Sequence, residues 1–476
     1  MKQPSLAISL IPIVLLVALL SVSIYLFGDA MLSGPSQIVL MFSVGVVSAI
    51  AILGYKKTWG ELESAMVESI GHTMPANLIL LLVGAVCATW MHSGIIPSMI
   101  YYGLDVISPR WFLFTACIIC SLVSLCIGSS WTTIATVGVG LMGIGHVLGV
   151  DDKWIAGAII SGAYFGDKMS PLSETTNLAS SISGVDLFAH IKNMLKTTVP
   201  SISITLLIFL IVGMFSDAAS DVTMNSSEEM QRNLLQTFNI SPFLFLVPLL
   251  IFYLIYKGVP AIIVLFLGAL IAGVLIPLVQ PQVLGGICER DNGFLLSLEA
   301  PMRAAFGEVS YDTGDAKVND LISTSGMYGM LKTVWLIICS MCFGGVMEAS
   351  GMLGRITRSL LTLMKGRIQT VTTTCLSSIF LNATTGDQCL AIILPAKMYG
   401  KAYDHQGCER KLLSRTVEDG GTVTSVLIPW NSCGMTQSTM LGVSTFAYAP
   451  YCFFCWMSPL MTIAAAVVHE MIKKKK

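Results

Sequence analysis

Charge is scarce in this sequence: 12% of its residues are Asp, Glu, Lys or Arg, about half of what a soluble domain carries. That excludes an ordinary water-soluble globule. An excess of either sign is missing too, with 27 Lys and Arg against 28 Asp and Glu, so there is neither a basic face for nucleic acid nor an acidic solvating block. Ligand-spaced histidines are absent. The six present (His72, His92, His146, His190, His405, His469) are scattered, mostly near the ends of apolar runs; they give no metal site and no cofactor, and the role left to them is pH sensing. No nucleophile stands beside a midplane histidine, which argues against an enzyme. The thirteen cysteines lie mostly inside apolar runs, and the two CxxC spacings, Cys117 to Cys120 and Cys452 to Cys455, read as small-residue helix packing and not as a disulfide or metal framework.

What fills the 476 residues is apolar, 54% by composition, in runs separated by gaps too short for a soluble domain. The reading is an all-α polytopic membrane protein. Runs long enough to cross a bilayer lie near 6–27, 36–54, 76–92, 154–180, 199–215, 241–256, 259–278, 333–348, 417–435 and 450–468, which makes ten crossings. The first is too long for a signal peptide and reads as a retained helix. Two further stretches, 111–149 and 369–400, are interrupted by Gly128-Ser129-Ser130 and by Asn382 to Asp387. They read as re-entrant hairpins, because a polar turn at membrane depth is tolerated only when buried in protein or lining a wet cavity.

Lys and Arg test the threading. With the N-terminus inside, 19 of them fall on the inner face, 7 on the outer face, and Lys168 falls within the membrane. That bias predicts a cytoplasmic (inner) membrane protein with both termini cytoplasmic. The chain then divides into N-terminal helices (1–75), a first repeat (76–215), outer loops with two linking helices (216–332) and a second repeat (333–476). Met91-His92-Ser93-Gly94 pairs with Met347 to Gly351; the stretch after the motif has one basic residue in the first copy (95–109 with Arg110) and four in the second (352–367), whereas 182–197 carries two Lys and its counterpart near 436–449 none. This exchange is expected of inverted repeats, the architecture of secondary transporters.

The most polar intramembrane stretch is Gly166-Asp167-Lys168-Met169-Ser170-Pro171-Leu172-Ser173-Glu174-Thr175-Thr176-Asn177. Pro171 removes a backbone donor and breaks the helix there, so freed carbonyls together with Asp167, Ser173, Thr176 and Asn177 can form an oxygen cage for a hard cation such as Na+. A structural alternative is that Asp167 and Glu174 simply pair with Lys168. The matching break runs from Glu418 to Ser432 and superposes on the first without gaps at an offset of 254, Gly166 on Gly420 and Asn177 on Asn431. Glu418 and Asp419 fall near its inner mouth, either as functional acids or as partners of Arg415 and Lys411. At the hairpin tips Ser129, Ser130 and Thr132, and Asn382, Thr384, Thr385 and Asp387, offer oxygen and amide ligands, with helix capping as their ordinary alternative. Thr424 in the second break completes the candidate set, and Glu348 is either a proton relay or a surface acid.

The string from Gly166 to Ala179 resembles the NhaC family of sodium/proton antiporters, and the likeness resumes at Gly386-Asp387 and from Glu418 to Gly434. The resemblance implies two re-entrant hairpins meeting two broken helices, Na+ and H+ as transported ions, and commonly a homodimer in the bilayer. Its relatives include a malate/lactate exchanger coupled to both ions, and others that move amino acids. The expected mechanism has Asp167, with Glu174 as partner, binding either H+ or Na+ while the site faces alternate sides. Lys168 would neutralise the empty carboxylate or bind an organic anion. The alternative is a Na+-coupled organic acid or amino acid carrier, the cargo held at the hairpin tips.

Overall fold

The computed structural model describes residues 4–475 apart from 29–30, 32–33, 107, 216–223, 289–292, 310–318 and 320–322. Four of these gaps, 216–223, 289–292, 310–318 and 320–322, fall in the region 216–332 expected to hold the outer loops. Helices account for nearly everything else, and the one β pairing among the described residues is an isolated bridge between Val309 and Thr324.

Local signals explain the helix ends. α1 (Leu6–Phe27) is capped by the Ser5 hydroxyl, which accepts from the Ile8 amide at 3.3 Å, and α2 (Pro35–Tyr55) begins on a proline with no amide to leave unpaired. α3 (Trp59–His92) opens with a reciprocal capping box between Thr58 and Glu61. There follow α4 (Ile95–Val106), α5 (Phe112–Ile127), α6 (Ser130–Thr133), a π-helical turn (Ile134–Gly138), α7 (Val139–Val147), α8 (Asp152–Met169), α9 (Glu174–Ser183) and α10 (Leu187–Phe215). The linking region supplies α11 (Met224–Thr237), α12 (Leu246–Tyr256), α13 (Ala261–Val279) and α14 (Gly293–Phe306). The last third holds α15 (Gly326–Ala349), α16 (Met352–Leu360), α17 (Arg367–Thr385), α18 (Gln388–His405), α19 (Arg410–Gly421), α20 (Ser432–Leu441) and α21 (Phe453–Lys475).

Among the described residues eight helices are long and apolar enough to cross a membrane, or nine if the pair 231–237 and 242–255, bent by 87°, counts as one span. The expected count was ten. The stretches 154–180 and 417–435 are broken into pieces that do not count singly, α8 for its four charged residues and α9, α19 and α20 for their length, while Pro109–Ile127, read as a hairpin arm, is itself of bilayer length. α3 runs for 34 residues, well beyond the expected 76–92, since its polar first half continues the helix outside the apolar window. Two of the histidines expected near edges, His92 and His190, are fully buried, whereas Glu348 is exposed at the end of α15.

The two halves carry the same local devices. Gly128 and Gly386, both in the left-handed region (φ 74° and 68°), end α5 and α17 and turn the chain into the next helix. Two pairs of helices, α5 with α8 and α17 with α19, approach closely through a glycine: a Cβ on Gly166 would lie 2.6 Å from Ser124 Cβ, and one on Gly420 would lie 2.8 Å from the Cys375 carbonyl oxygen. These glycines are 254 positions apart, but the turns at Gly128 and Gly386, and the helix-ending glycines Gly184 and Gly442, are 258 apart. A single ungapped offset therefore does not hold. The second half has four more residues, about one helical turn, between its glycine contact and its hairpin turn, and four more in its broken helix.

A methyl group at Gly166 or Gly420 has no room to enter. Gly166→Ala and Gly420→Ala are each expected to destabilise the detergent-solubilised protein by about 1–3 kcal/mol, read as a lower melting temperature, whereas Gly45→Ala, with nothing within 4 Å of the added carbon, leaves it unchanged or higher.

Candidate functional site

Both breaks are built from ordinary chemistry. α8 stops at Met169 because Pro171 cannot donate and holds Ser170 in an extended conformation (ψ 133°). α9 restarts on Ser173 as its N-cap. The carbonyls freed between them find donors: Thr176 Oγ1 donates to the Lys168 carbonyl at 3.0 Å, and Asn177 Nδ2 donates to the Pro171 and Ser173 carbonyls at 2.8 and 2.7 Å. Thr176 and Asn177 are thus committed to the backbone of the break, and Asn177 lies on the exposed side of α9. Neither is hydrogen-bonded to Asp167. Glu174 is also exposed, within Coulombic range of Asp167 and Asp387.

Asp167 points the other way. It is 7% exposed, and its Oδ2 accepts from the Ser130 amide at 3.1 Å and the Ser130 hydroxyl at 2.7 Å. Ser130 stands at the tip of the first hairpin sequence, where Ser129 caps α6 by accepting from the Thr132 amide (3.2 Å) and hydroxyl (3.1 Å). The Ser173 hydroxyl lies close to the Asp167 carboxylate.

Lys168 takes neither Asp167 nor Glu174 as its partner. Its side chain is fully buried and forms an ion pair with Asp419 of α19, itself fully buried. Ser458 of α21 bonds to both, receiving from Lys168 Nζ at 2.7 Å and donating to Asp419 Oδ1 at 2.7 Å, and Thr197 of α10 donates to Asp419 Oδ2 at 3.1 Å. The ammonium also lies 5.6 Å from the centre of the Phe454 ring. The two breaks therefore meet through a charge pair in the interior.

Beside that pair sits Glu418, which the sequence alone located at the inner mouth. It is fully buried. Its Oε1 accepts from Thr175 Oγ1 at 3.1 Å and Thr422 Oγ1 at 2.9 Å, and its Oε2 has no hydrogen-bond partner. Thr175 in turn shares a 3.1 Å hydrogen bond with Ser173. Hydroxyls thereby run from Asp167 in the first break to Glu418 in the second. Neither carboxylate forms an ion pair with Lys or Arg, while Asp419 does.

The second break lacks such a charge at its tip contact. Asn382 Nδ2 donates to the Gly421 carbonyl at 2.6 Å and to Thr424 Oγ1 at 3.1 Å, and Asn431 Nδ2 donates to the Asn382 carbonyl and side-chain oxygens, both at 3.2 Å. Thr424 donates to the Gly420 carbonyl at 2.6 Å, and Thr384 to Phe380 within its own helix at 2.9 Å. Asp387 caps α18, accepting from the Leu390 amide at 2.8 Å. The structure thus joins Asn382, Thr424 and Asn431 in one network and Ser130, Asp167 and Ser173 in another; Asp387 and Thr384 serve their own helices. Glu418 was weighed as a functional acid or a structural partner, and Thr175, Thr197 and Ser458 were not singled out. Glu418 had a signal, an acid on an intramembrane helix; isolated hydroxyls in apolar helices, such as Ser458, had none. No three His, Cys, Asp or Glu side chains gather as metal ligands among the described residues.

A family described as the Na+/H+ antiporter family matches residues 162–469. The chain is 39% identical to the Na(+)/H(+) antiporter NhaC of Alkalihalophilus pseudofirmus over 85% of its own length and 84% of that protein. It is 34% identical to the Na(+)/H(+) antiporter NhaC of Bacillus subtilis, covering 91% and 92% of the two chains. It is also 34% identical to the malate-2H(+)/Na(+)-lactate antiporter of Bacillus subtilis, covering 91% and 89%.

Removing one member of a buried ion pair leaves the other charged and unsolvated. Lys168→Met is expected to cost about 3–5 kcal/mol of stability, and Lys168→Met combined with Asp419→Leu is expected to cost less than the sum of the single changes. Additive losses in a melting or denaturant series would contradict the pairing.

Proposed function

The chain belongs to the Na+/H+ antiporter family, and from that premise we propose that it exchanges Na+ for H+ across the cytoplasmic membrane, with Asp167 and Glu418 as the carboxylates at which the two ions compete. One observation carries this reading. Asp167, Glu418 and Asp419 are all buried, and the one buried lysine among the described residues, Lys168, is hydrogen-bonded and ion-paired to Asp419 and to neither of the other two. An isolated carboxylate away from water is costly. A bound cation removes the cost, and a proton removes it equally well.

Oxygens suited to Na+ flank both acids: the Ser130, Ser173 and Thr175 hydroxyls and the free Glu418 Oε2. This moves the proposed ion site from Asp167, Thr176 and Asn177 to the interior side of the first break, where it joins the second. Asn382, Thr424 and Asn431 then hold the other hairpin tip against its break, and Asp387 and Glu174 bias the approach for cations. Alternating access follows if the hairpin tips and breaks move together against the long helices α3 and α15. We infer that the halves are inverted repeats, a reading supported by the paired turns at Gly128 and Gly386 and by the exchange of basic residues between them. The same bias supports cytoplasmic termini.

A second reading, Na+-coupled exchange of an organic acid, is favoured by one cluster. The Trp131 indole N–H, the Tyr164 hydroxyl and both ends of the Gln437 amide are buried without hydrogen-bond partners. Cys433 lies next to Trp131 and Tyr164, and Gln437 next to Tyr164. Neutral donors of this kind suit a small carboxylate, whereas Lys168 is already engaged.

Sodium efflux and proton uptake in proteoliposomes test the assignment. Asp167→Asn and Glu418→Gln are each expected to lower antiport on the order of 10–100-fold, the loss of one charged contact worth about 1.5–3 kcal/mol. Asn177→Ala is expected to spare Na+ affinity. Full exchange by both acid variants would sink the proposal, and collapse of affinity in stable Asn177→Ala protein would return the ion to the outer side of α9. Labelled malate or lactate driven by the same gradients decides between the two readings.

A further inference from the structure

We propose that Arg367, Thr370 and Arg415 form a binding site for a tetrahedral oxyanion, either free phosphate or the phosphate of an anionic lipid headgroup, at the start of α17. The site is separate from the carboxylate pair and does not depend on the antiport reading.

Arg415 is 4% exposed, and its Nε has no hydrogen-bond partner. Arg367, at the first position of α17, also has a buried, unpartnered Nε, and the two guanidinium groups lie within Coulombic range of one another. Neighbouring cations are differently placed: Arg410 is held by Asp404 at 2.8 and 2.5 Å, and Lys411 pairs with Glu409. Asp419 on α19 and Glu409 lie within Coulombic range of Arg415 and Arg367 respectively, but Asp419 spends its hydrogen bonds on Lys168, Ser458 and Thr197, and Glu409 pairs with Lys411. One buried and one half-buried positive charge this close repel, and an anion between them removes the repulsion.

The surroundings supply the remaining donors. α17 has no side-chain cap and no acid in its first turn, so its leading amides are open to an anion. Thr370 is fully buried with an unpartnered hydroxyl, three residues after Arg367 and hence on the same helix face. α17 lies alongside α19 through the Gly420 contact with Cys375, which brings Arg415 level with this first turn. Guanidinium forks, a hydroxyl and helix-terminal amides together match a phosphate better than a single carboxylate. By the basic bias this is the cytoplasmic end, where both candidate sources are found.

The test uses the full-length protein in a non-ionic detergent, melted in sodium phosphate or in sodium chloride at equal Na+ and equal ionic strength, and again with phosphatidylglycerol or phosphatidylcholine added. Phosphate or phosphatidylglycerol is expected to raise the melting temperature by several degrees. R415Q and R367Q should each abolish the response, and replacing exposed Lys401 should not. A response to phosphate names the free ion, and a response to phosphatidylglycerol alone names the lipid. If R415Q does not fold, R367Q decides, since Arg367 is only partly buried. No response in either arm, or one that survives both arginine replacements, overturns the site.

Discussion

The interior of this protein is organised by one buried ion pair. Lys168 is the one buried lysine among the described residues, and its pairing with Asp419 ties α8 to α19 across 251 positions of sequence. That pairing could have been replaced by apolar packing at little cost to stability. Its consequence is different: the lysine's ion pair goes to Asp419, so that Asp167 and Glu418 have no ion-pair partner of their own and, on the proposed reading, take a cation from the medium. An ion exchanger needs carboxylates in this condition, buried enough to require a counter-charge and free of a permanent one.

Helix breaks make that arrangement possible. A continuous helix crossing the bilayer satisfies its own backbone and leaves side chains to face neighbours. In α8 and α9 the interruption at Pro171 instead turns Ser173, Thr175 and Thr176 inward at the start of a new helix, level with Glu418. The glycine contacts at Gly166 and Gly420 bring each broken helix against the helix that carries its hairpin turn, which is why Ser130 can reach Asp167 and Asn382 can reach the Gly421 carbonyl. The second half is longer by one turn on both members of its pair. Equal insertion keeps the tip in register with the break, whereas insertion on one member alone would have pulled them apart.

Much of this was legible in the sequence. Charged and hydroxyl residues within an apolar run, with a proline among them, cannot belong to a lipid-facing helix, so both breaks and both polar turns could be located and the all-α class fixed. Partnerships could not. Asp167 and Lys168 are adjacent in sequence, and adjacent positions on a helix diverge by about 100°, so nearness along the chain misdirected the choice of partner. Asn177 was grouped with Asp167 by proximity too, yet α9 starts afresh after the break with its own rotation, which carries Asn177 to the exposed side. Glu418 was placed at a helix mouth because its flanking residues are basic. Only the packing of α19 against α9 shows that Thr175 covers it.

The hydroxyl path between the two unpaired acids bears on how exchange is coupled. Ser173 and Thr175 can each donate one hydrogen bond and accept another, so the orientation of one hydroxyl constrains the next along the path from Asp167 to Glu418. Two acids linked in this way within Coulombic range titrate as a pair and not as independent sites. In the proposed exchange a cation settling on one lowers the need for a cation on the other, so loading the site with Na+ would favour loss of a proton within the same few ångströms. Coupling of the two ions would then need no long-range signal. It would follow from two acids without an ion-pair partner that share their hydroxyls.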